Sequence, residues 1–440
     1  MAKALLLGAG LVSRPLVQYL LDAGIHVTVA SRTKSKADAL LKGHPKGMAR
    51  AWTVDDVDGL SKLVADNDLA ISLLPAPMHP VVAEACLKHR KHMVTTSYVS
   101  PAMKALDGRA KEAKVSVLNE LGVDPGIDHM SAMKIIHHVQ KSSGKVVAFR
   151  SYCGGIPAPE ANDNPWGYKF SWSPLAVLRA ATNNALYLKN GQEVAIESKK
   201  LFWDNHHLTF GEGVGELECY PNRDSMSYIE LYGLQGISTM FRGTLRWRGW
   251  SETMRRAGEL GILDPTERTG LDGKTWAQLV AEVIGARDSK NIKAKVANYL
   301  WLEPDSPVIK RFEWLGLFSD AKLPKERGSV LEMLAEAMAA RMMYAEGERD
   351  MIVMHHEFVA DYGSKRERIT STLIDFGIKG GDSSMARTVS LPAAIAARMV
   401  LEGKITARGV HIPVDPGIYN PILDELATMN IALKEKTYPL

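Results

Sequence analysis

A chain of 440 residues has room for about three domains of ordinary size, which excludes a small disulfide scaffold or a single short binding module. Apolar residues make up 46% and charged residues 24%, the balance of a folded globular protein, so disorder, collagen and coiled coil are excluded. The formal charge, 54 − 50 = +4, is too small over this length to argue for nucleic acid or an anionic membrane as partner.

Three cysteines, Cys86, Cys153 and Cys219, lie far apart without C-x-x-C spacing. Neither a zinc site nor a disulfide framework is expected, and the reducing cytoplasm is the expected compartment. The apolar start runs straight into Gly8-Ala9-Gly10 with no separate cleavage region. The best apolar run, residues 69–74, is stopped by Pro75 and Pro77, well short of the ~20 residues that span a bilayer.

In chain order, residues 4–7 form a short apolar run, and 12–21 repeat apolar residues at helical spacing after a glycine turn. Residues 25–30 then complete a strand-helix-strand unit, which implies parallel strands. Further buried strands are predicted at 69–74, 92–95 and 115–118, separated by helices at 80–89 and 101–114, the latter capped by Ser100 with Pro101 at its first position. This alternation predicts an α/β fold with a doubly wound, Rossmann-type parallel sheet whose ligands lie beyond the strands' carboxyl ends. Beyond it, 127–140 reads as a helix, 145–152 as a strand and 153–174 as a long loop rich in Pro, Gly, Asn and Trp. Residues 275–284, 291–302 and 330–343 give a helical subdomain, 351–358 and 366–374 two further strands, and 392–402 the last helix, with its proline at the start.

Gly8-Ala9-Gly10-Leu11-Val12-Ser13 fits G-x-G-x-x-[G/A] except at its last position, and it sits between predicted strand and helix. Gly8 supplies the tight turn, and Gly10 permits close approach of a pyrophosphate to the helix N-terminus. The second strand ends in Ala30-Ser31-Arg32-Thr33, with no carboxylate to accept a ribose 2′-hydroxyl. Arg32 and two hydroxyls suit a 2′-phosphate instead, so NADP(H) is expected rather than NAD(H).

Asp124, between Val123 and Pro125, has two readings: it caps the following helix, or it takes part in proton transfer. Cys153 precedes Gly154-Gly155 and is either a small core residue or a thiol facing a cleft. Arg223 and Arg246 are candidate carboxylate forks. The pairs His137-His138, His206-His207 and His355-His356 do not suggest a metal site, because adjacent side chains diverge on helices and strands alike.

The runs at 97–103, 122–129, 151–160, 163–173 and 220–225, continued through 242–246, 314–320 and 347–350, closely resemble the saccharopine reductases. These are the glutamate-forming, NADP-dependent saccharopine dehydrogenases of lysine metabolism. The resemblance spans nearly the whole chain. It implies an oxidoreductase that interconverts saccharopine with glutamate plus 2-aminoadipate 6-semialdehyde through an imine. It implies a homodimer with small-molecule substrates; no nucleic-acid, membrane or metal partner is expected, on the charge, the apolar run lengths and the histidine spacing given above. The implied domains are an NADP-binding domain at 1–124, a substrate-binding and dimerisation α/β domain at 125–249 and 341–390, the helical subdomain at 250–340, and a segment at 391–440 returning to the first domain.

Carried over by resemblance, the cofactor positions fall on Gly8, Gly10, Leu11, Val12, Ser13, Ser31, Arg32, Thr33, Thr53, Val54, Leu74, Thr96, Ser97, Val123, Asp124, Pro125 and Ser173. Substrate positions fall on Ser97, Tyr98, Asp124, Arg223, Thr244, Leu245 and Arg246, and the acid–base candidates are Asp124, Cys153 and Tyr98. The chain departs from the family at Thr53, often Asp in relatives, at Val123, which replaces Leu, and at Pro75–His79, which lacks an expected Tyr and Phe. Two other readings compete: a sibling imine reductase acting on a carboxylated polyamine, which two substrate-side arginines disfavour, and an NADPH-binding regulator without turnover.

Overall fold

The computed structural model describes residues 1–211 and 213–440, which divide into two compact units. Unit 1 comprises residues 1–145, 362–365 and 370–438, and unit 2 comprises 146–361, 366–369 and 439–440.

Unit 1 is built on a seven-stranded sheet. Its strands are β1 (Lys3–Leu7), β2 (His26–Ser31), β3 (Gly47–Ala51), β4 (Leu69–Ser72), β5 (His92–Thr95) and β6 (Ser116–Leu118), joined at one edge by Gly409–His411. From that edge the order is Gly409–His411, β6, β5, β4, β1, β2, β3, and every pairing is parallel. Parallel strands covered on both faces read as continuous apolar runs. Accordingly Leu5, Leu6 and Leu7 of the interior strand β1 are fully buried, each such leucine worth about 1.5–3 kcal/mol of transfer free energy. The strand order reverses between β1 and β4, so the loops after these strands diverge and leave a crevice at their carboxyl ends.

The elements of unit 1 explain two misreadings of the sequence. Residues 101–114 form two helices, Pro101–Lys104 and Asp107–Glu112, rather than one; Asp107 opens the second, and its carboxylate accepts the Val410 N–H of the edge strand at 2.9 Å. The expected Ser100 cap is present, its hydroxyl accepting the Met103 N–H. The helix expected at 392–402 runs from Ser384 to Leu401 and carries Pro392 inside it. A proline there removes one backbone bond, but this helix is buried on nearly all sides and its packing outweighs the loss. Nor is it the last, since Pro416–Thr428 follows, started by the Asp415 cap.

Unit 2 carries a mixed sheet. β7 (Lys145–Pro157) is followed by the hairpin β8 (Ala185–Lys189) and β9 (Gln192–Ile196), then by β10 (His206–Phe210), β11 (Gly215–Pro221) and β12 (Thr239–Trp247). The order is β10-β11-β12-β7, with Asp350–Asp361 beside β7. β7 and β12 are parallel, β11 and β12 antiparallel. β7 runs five residues past its predicted end at 152, because Cys153 pairs with Thr244 and Gly154 packs on Leu245, where a Cβ would lie 2.5 Å from the carbonyl oxygen. The helices Trp276–Val283, Ile292–Tyr299 and Val330–Arg341 match the predicted helical segments to within a few residues.

Candidate active site

The glycine turn after β1 has the geometry a dinucleotide requires. Gly8 adopts φ +111°, open to glycine and strained for side chains, and a Cβ on it would meet the Leu73 carbonyl oxygen at 3.3 Å. Gly10 has nothing within 4 Å of where its Cβ would be, so a phosphate can approach the backbone. Ser13, which departs from the glycine pattern, is fully buried. Its Oγ accepts the Gly10 N–H at 3.0 Å and its hydroxyl donates to the Gly8 carbonyl at 3.4 Å. The Ser13 hydroxyl, at a cofactor position by resemblance, therefore staples the loop from within. Among the described residues, no hydrogen bond uses the Leu11 or Val12 N–H, and these two amides precede the helix Arg14–Asp22, whose positive end favours an anion.

Ser31, Arg32 and Thr33 follow at the carboxyl end of β2, and Thr33 is the N-cap residue of the helix Lys34–Leu41. Arg32 is exposed and, among the described residues, pairs with no carboxylate. Thr53 and Val54 lie just past β3 and Leu74 just past β4. These residues occupy the carboxyl ends of neighbouring strands, β4, β1, β2 and β3. The donor set fits a phosphorylated dinucleotide: a glycine turn open above Gly10, unclaimed amides at a helix start, and an arginine without a neighbouring acid.

Past β5 and β6 lie the residues expected to meet the reacting groups. The Tyr98 hydroxyl donates to Asp124 Oδ1 at 3.0 Å. Asp124 projects from a tight Gly122–Gly126 ring closed by the Gly122 N–H to the Pro125 carbonyl (2.9 Å) and the Ile127 N–H to the Gly122 carbonyl (2.9 Å). The Asp124–Pro125 bond is cis, and a Cβ on Gly126 would collide with Gly122 backbone atoms. Asp128, not Asp124, takes the Gly126 N–H, at 2.6 Å. The loop 96–99 is pinned by Glu120, whose N–H donates to the Ser97 carbonyl and whose Oε1 accepts the Val99 N–H at 2.8 Å. The second oxygen of Glu120 meets His129 Nε2 at 2.6 Å, both groups buried.

His79, Glu120 and His129 were not singled out from sequence. His79 starts a helix and is 2% exposed. Its Nδ1 lies 2.9 Å from Ser72 Oγ, and its Nε2 lies 2.8 Å from Ser97 Oγ and 3.2 Å from Thr95 Oγ1. Burial pulls its pKa down to about 4, so the ring is neutral near pH 7. The linear signal was thin: a histidine in a Pro-rich turn, spaced seven residues from Ser72.

In unit 2, Cys153 lies beside Thr244 in the parallel β7–β12 register, and Leu245 and Arg246 continue β12. Cys153 is half-buried and forms no disulfide among the described residues. Arg246 is 6% exposed, its Nη1 donates to the Leu245 carbonyl at 2.8 Å, and among the described residues its Nε has no hydrogen-bond partner. The guanidinium packs 4.9 Å from the Tyr168 ring centre and 5.7 Å from that of Trp250. Glu218 stands opposite Arg246 across the strands, but its oxygens accept the N–H groups of Gly249 and Ser251 instead. Burial works against the charge of Arg246, but the neighbouring Tyr220, Tyr168, Cys153 and Glu218 favour it and hold the guanidinium's pKa above its ordinary value.

Arg223 lies elsewhere on the same sheet. It lies two residues past the end of β11, whose last pair is Pro221 with Gly243, whereas Arg246 lies within β12 opposite Glu218. Arg223 is exposed, at φ +53°, and its carbonyl accepts the Leu186 N–H. Ser173 caps the helix Pro174–Ala180, its Oγ accepting the Ala176 N–H at 3.3 Å. Among the described residues, no group of three or more His, Cys, Asp or Glu side chains is placed to hold a metal.

Comparison with known proteins matches residues 4–118 to the saccharopine dehydrogenase NADP binding domain and residues 122–431 to the saccharopine dehydrogenase C-terminal domain. Saccharopine dehydrogenase [NADP(+), L-glutamate-forming] of Schizosaccharomyces pombe is 40% identical over 99% of this chain and 99% of its own. The enzyme of the same name from Saccharomyces cerevisiae is 40% identical over 98% of each. The mitochondrial alpha-aminoadipic semialdehyde synthase of Bos taurus is 38% identical over 98% of this chain, which spans 47% of that protein. Among solved structures, the apo histidine-tagged saccharopine dehydrogenase (L-Glu forming) from Saccharomyces cerevisiae superimposes with a TM-score of 0.89 at 39% identity, covering all of both chains. A glycine turn fitted to a dinucleotide, a Tyr98–Asp124 pair and a buried arginine with an unpartnered Nε thus sit in a chain that belongs to the saccharopine dehydrogenase family.

Proposed function

We propose that this protein is an NADP-dependent oxidoreductase acting on a CH–NH bond, interconverting saccharopine with L-glutamate and 2-aminoadipate 6-semialdehyde. In the reductive direction the glutamate amine adds to the aldehyde carbon and water leaves, giving an imine. Addition of a hydride and a proton then yields the secondary amine. The bound dinucleotide supplies or accepts the hydride.

The residues of unit 1 divide that work. Leu11 and Val12 amides receive the pyrophosphate, Arg32 with Ser31 and Thr33 the 2′-phosphate, and the Thr96–Ser97 and Val123–Pro125 segments the nicotinamide end. Asp124, held by Tyr98, binds the reacting nitrogen while it is charged and sets when its proton leaves. In unit 2, Arg246 and Arg223 take carboxylates of the substrate, flanked by Thr244 and Leu245, and Cys153 serves as an acid–base group. Ser173 adds a cofactor contact.

The observation that carries this reading is Arg246, a buried guanidinium whose Nε, among the described residues, has no hydrogen-bond partner, while the carboxylate opposite it is taken up by backbone N–H groups. A substrate with three carboxylates supplies what the chain withholds, and a carboxylated polyamine supplies fewer. Glutamate, the semialdehyde and NADPH should give an adduct of saccharopine's mass by mass spectrometry; unchanged substrates contradict the proposal. A cytoplasmic homodimer belongs to the same proposal. The free cysteines fit a reducing compartment, and no helix among the described residues is long and apolar enough to cross a membrane. The dimer is carried over from the family, and sedimentation at micromolar concentration tests it.

A further inference from the structure

We propose that His79 is a positioning residue: it fixes the direction of the Ser97 hydroxyl, and through it the contact that Ser97 makes with cofactor and substrate. The inference rests on the reading that Ser97 faces the ligands.

Three hydroxyls converge on one imidazole. Ser72 Oγ faces Nδ1 at 2.9 Å, and Ser97 Oγ and Thr95 Oγ1 face Nε2 at 2.8 and 3.2 Å. A neutral imidazole carries one N–H and one lone pair. It can take a single hydroxyl proton and give a single one, so the rotors are coupled rather than independent. Ser72 and Thr95 are fully buried, and among the described residues the ring is the side-chain partner of both. Ser97 differs. It is half-buried, and its backbone carbonyl is already held by the Glu120 N–H at 3.1 Å. Glu120 fixes the Ser97 backbone and the ring engages its hydroxyl, so the ring sets whether the hydroxyl's remaining capacity is to donate or to accept.

The neutrality of the ring supports this assignment. With its pKa near 4, the ring keeps one donor and one acceptor across the pH range in which an amine is deprotonated for imine formation. The ring is also rigid, tied at both nitrogens to the ends of two neighbouring strands, β4 and β5. A hydroxyl oriented in advance costs no reorganisation when the ligand arrives.

Two conservative variants separate the two nitrogens, because the Asn amide reaches the position of Nδ1 and the Gln amide that of Nε2. His79→Asn should lower kcat/KM for saccharopine by about 10- to 30-fold, the loss expected for one misdirected ligand hydrogen bond. His79→Gln should stay within about threefold of wild type. Ser97→Ala should fall like His79→Asn, and His79→Asn with Ser97→Ala should fall no further than Ser97→Ala alone. Multiplying losses, or equal losses in Asn and Gln variants that melt at the same temperature, overturn the proposal.

Should the His79 variants fail to fold, ¹⁵N spectra of the histidine-labelled wild type and of Ser97→Ala decide the matter. The His79 Nε2 resonance should shift on removal of the Ser97 hydroxyl and on addition of NADPH, and an unmoved resonance overturns the proposal. If the wild type turns over saccharopine with NADP⁺ but the cycle is additive, only the role of His79 falls. If the wild type turns over nothing, the enzymatic reading falls, and the spectra alone judge His79.

Discussion

The hydroxyl of Tyr98 donates to Asp124 Oδ1 at 3.0 Å although the two residues stand 26 positions apart, on loops that follow β5 and β6. The bond ties one candidate acid–base group to the other and gives each a direction. It also ranks them. Asp124 is offered by a rigid ring of backbone hydrogen bonds, and Tyr98 supports it.

Asp124→Asn keeps the shape but removes the charge, and should reduce kcat by about 100-fold or more, in the range general acid–base catalysis contributes. Tyr98→Phe removes one hydrogen bond to a charged acceptor and should cost about 10-fold or somewhat more. Steady-state kinetics of the double variant should show losses well short of the product, since the pair acts as a unit. A full product would mean that the two residues act separately.

Arg32 stands exposed just past the end of β2 and, among the described residues, pairs with no carboxylate. Arg32→Asp replaces its charge-assisted bonds by repulsion and should weaken NADP⁺ binding by about 100-fold or more, while NAD⁺ changes by less than about threefold. Fluorescence titration with both dinucleotides measures the ratio. Equal losses would remove Arg32 from the 2′-phosphate.

Arg246 makes opposite predictions for stability and function. Arg246→Met fills similar volume and removes an unpaired buried cation, so the melting temperature of the free protein should hold or rise. The KM for saccharopine should increase by about 100-fold, and the stabilisation that saccharopine gives the wild type through mass action should disappear. A lower melting temperature with unchanged KM would make Arg246 structural.

His79 gives a pH dependence whose sign is fixed by its environment. Its folded pKa, near 4, lies below the ordinary histidine value of about 6.5. The unfolded chain thus binds a proton in that window which the folded chain refuses, and stability falls as the pH falls through it. From pH 7 to 5 this amounts to about 2 kcal/mol. Urea unfolding of wild type and His79→Gln at both pH values should show the variant losing less by roughly that amount; parallel losses would contradict the neutral buried ring.

The parallel sheet was legible because its strands are buried on both faces and leave short apolar runs, as at 4–7, where the run ends in a glycine turn. β3 escaped notice because its burial is broken, with Ala49 the buried position among exposed or half-buried neighbours. Pro392 misled because helix rules describe isolated chains, whereas here packing on nearly every side outweighs one lost hydrogen bond. At the site, glycine spacing and the missing acid after β2 carried the cofactor reading. Ser13 was visible as a departure, but its use inside the loop depends on where Gly8 and Gly10 turn. His79, Glu120 and His129 act across 9 to 21 residues of sequence, through contacts made only once the strand ends are aligned.

The central claim is that the chain oxidises a secondary amine bearing three carboxylates with NADP⁺. Mixing the purified protein with NADP⁺ and saccharopine, and separately with a carboxylated polyamine, while following the absorbance of the reduced nicotinamide, tests it directly. Absorbance should rise with saccharopine and release glutamate in equal amount. No rise with saccharopine, or a rise with the polyamine alone, would contradict the account.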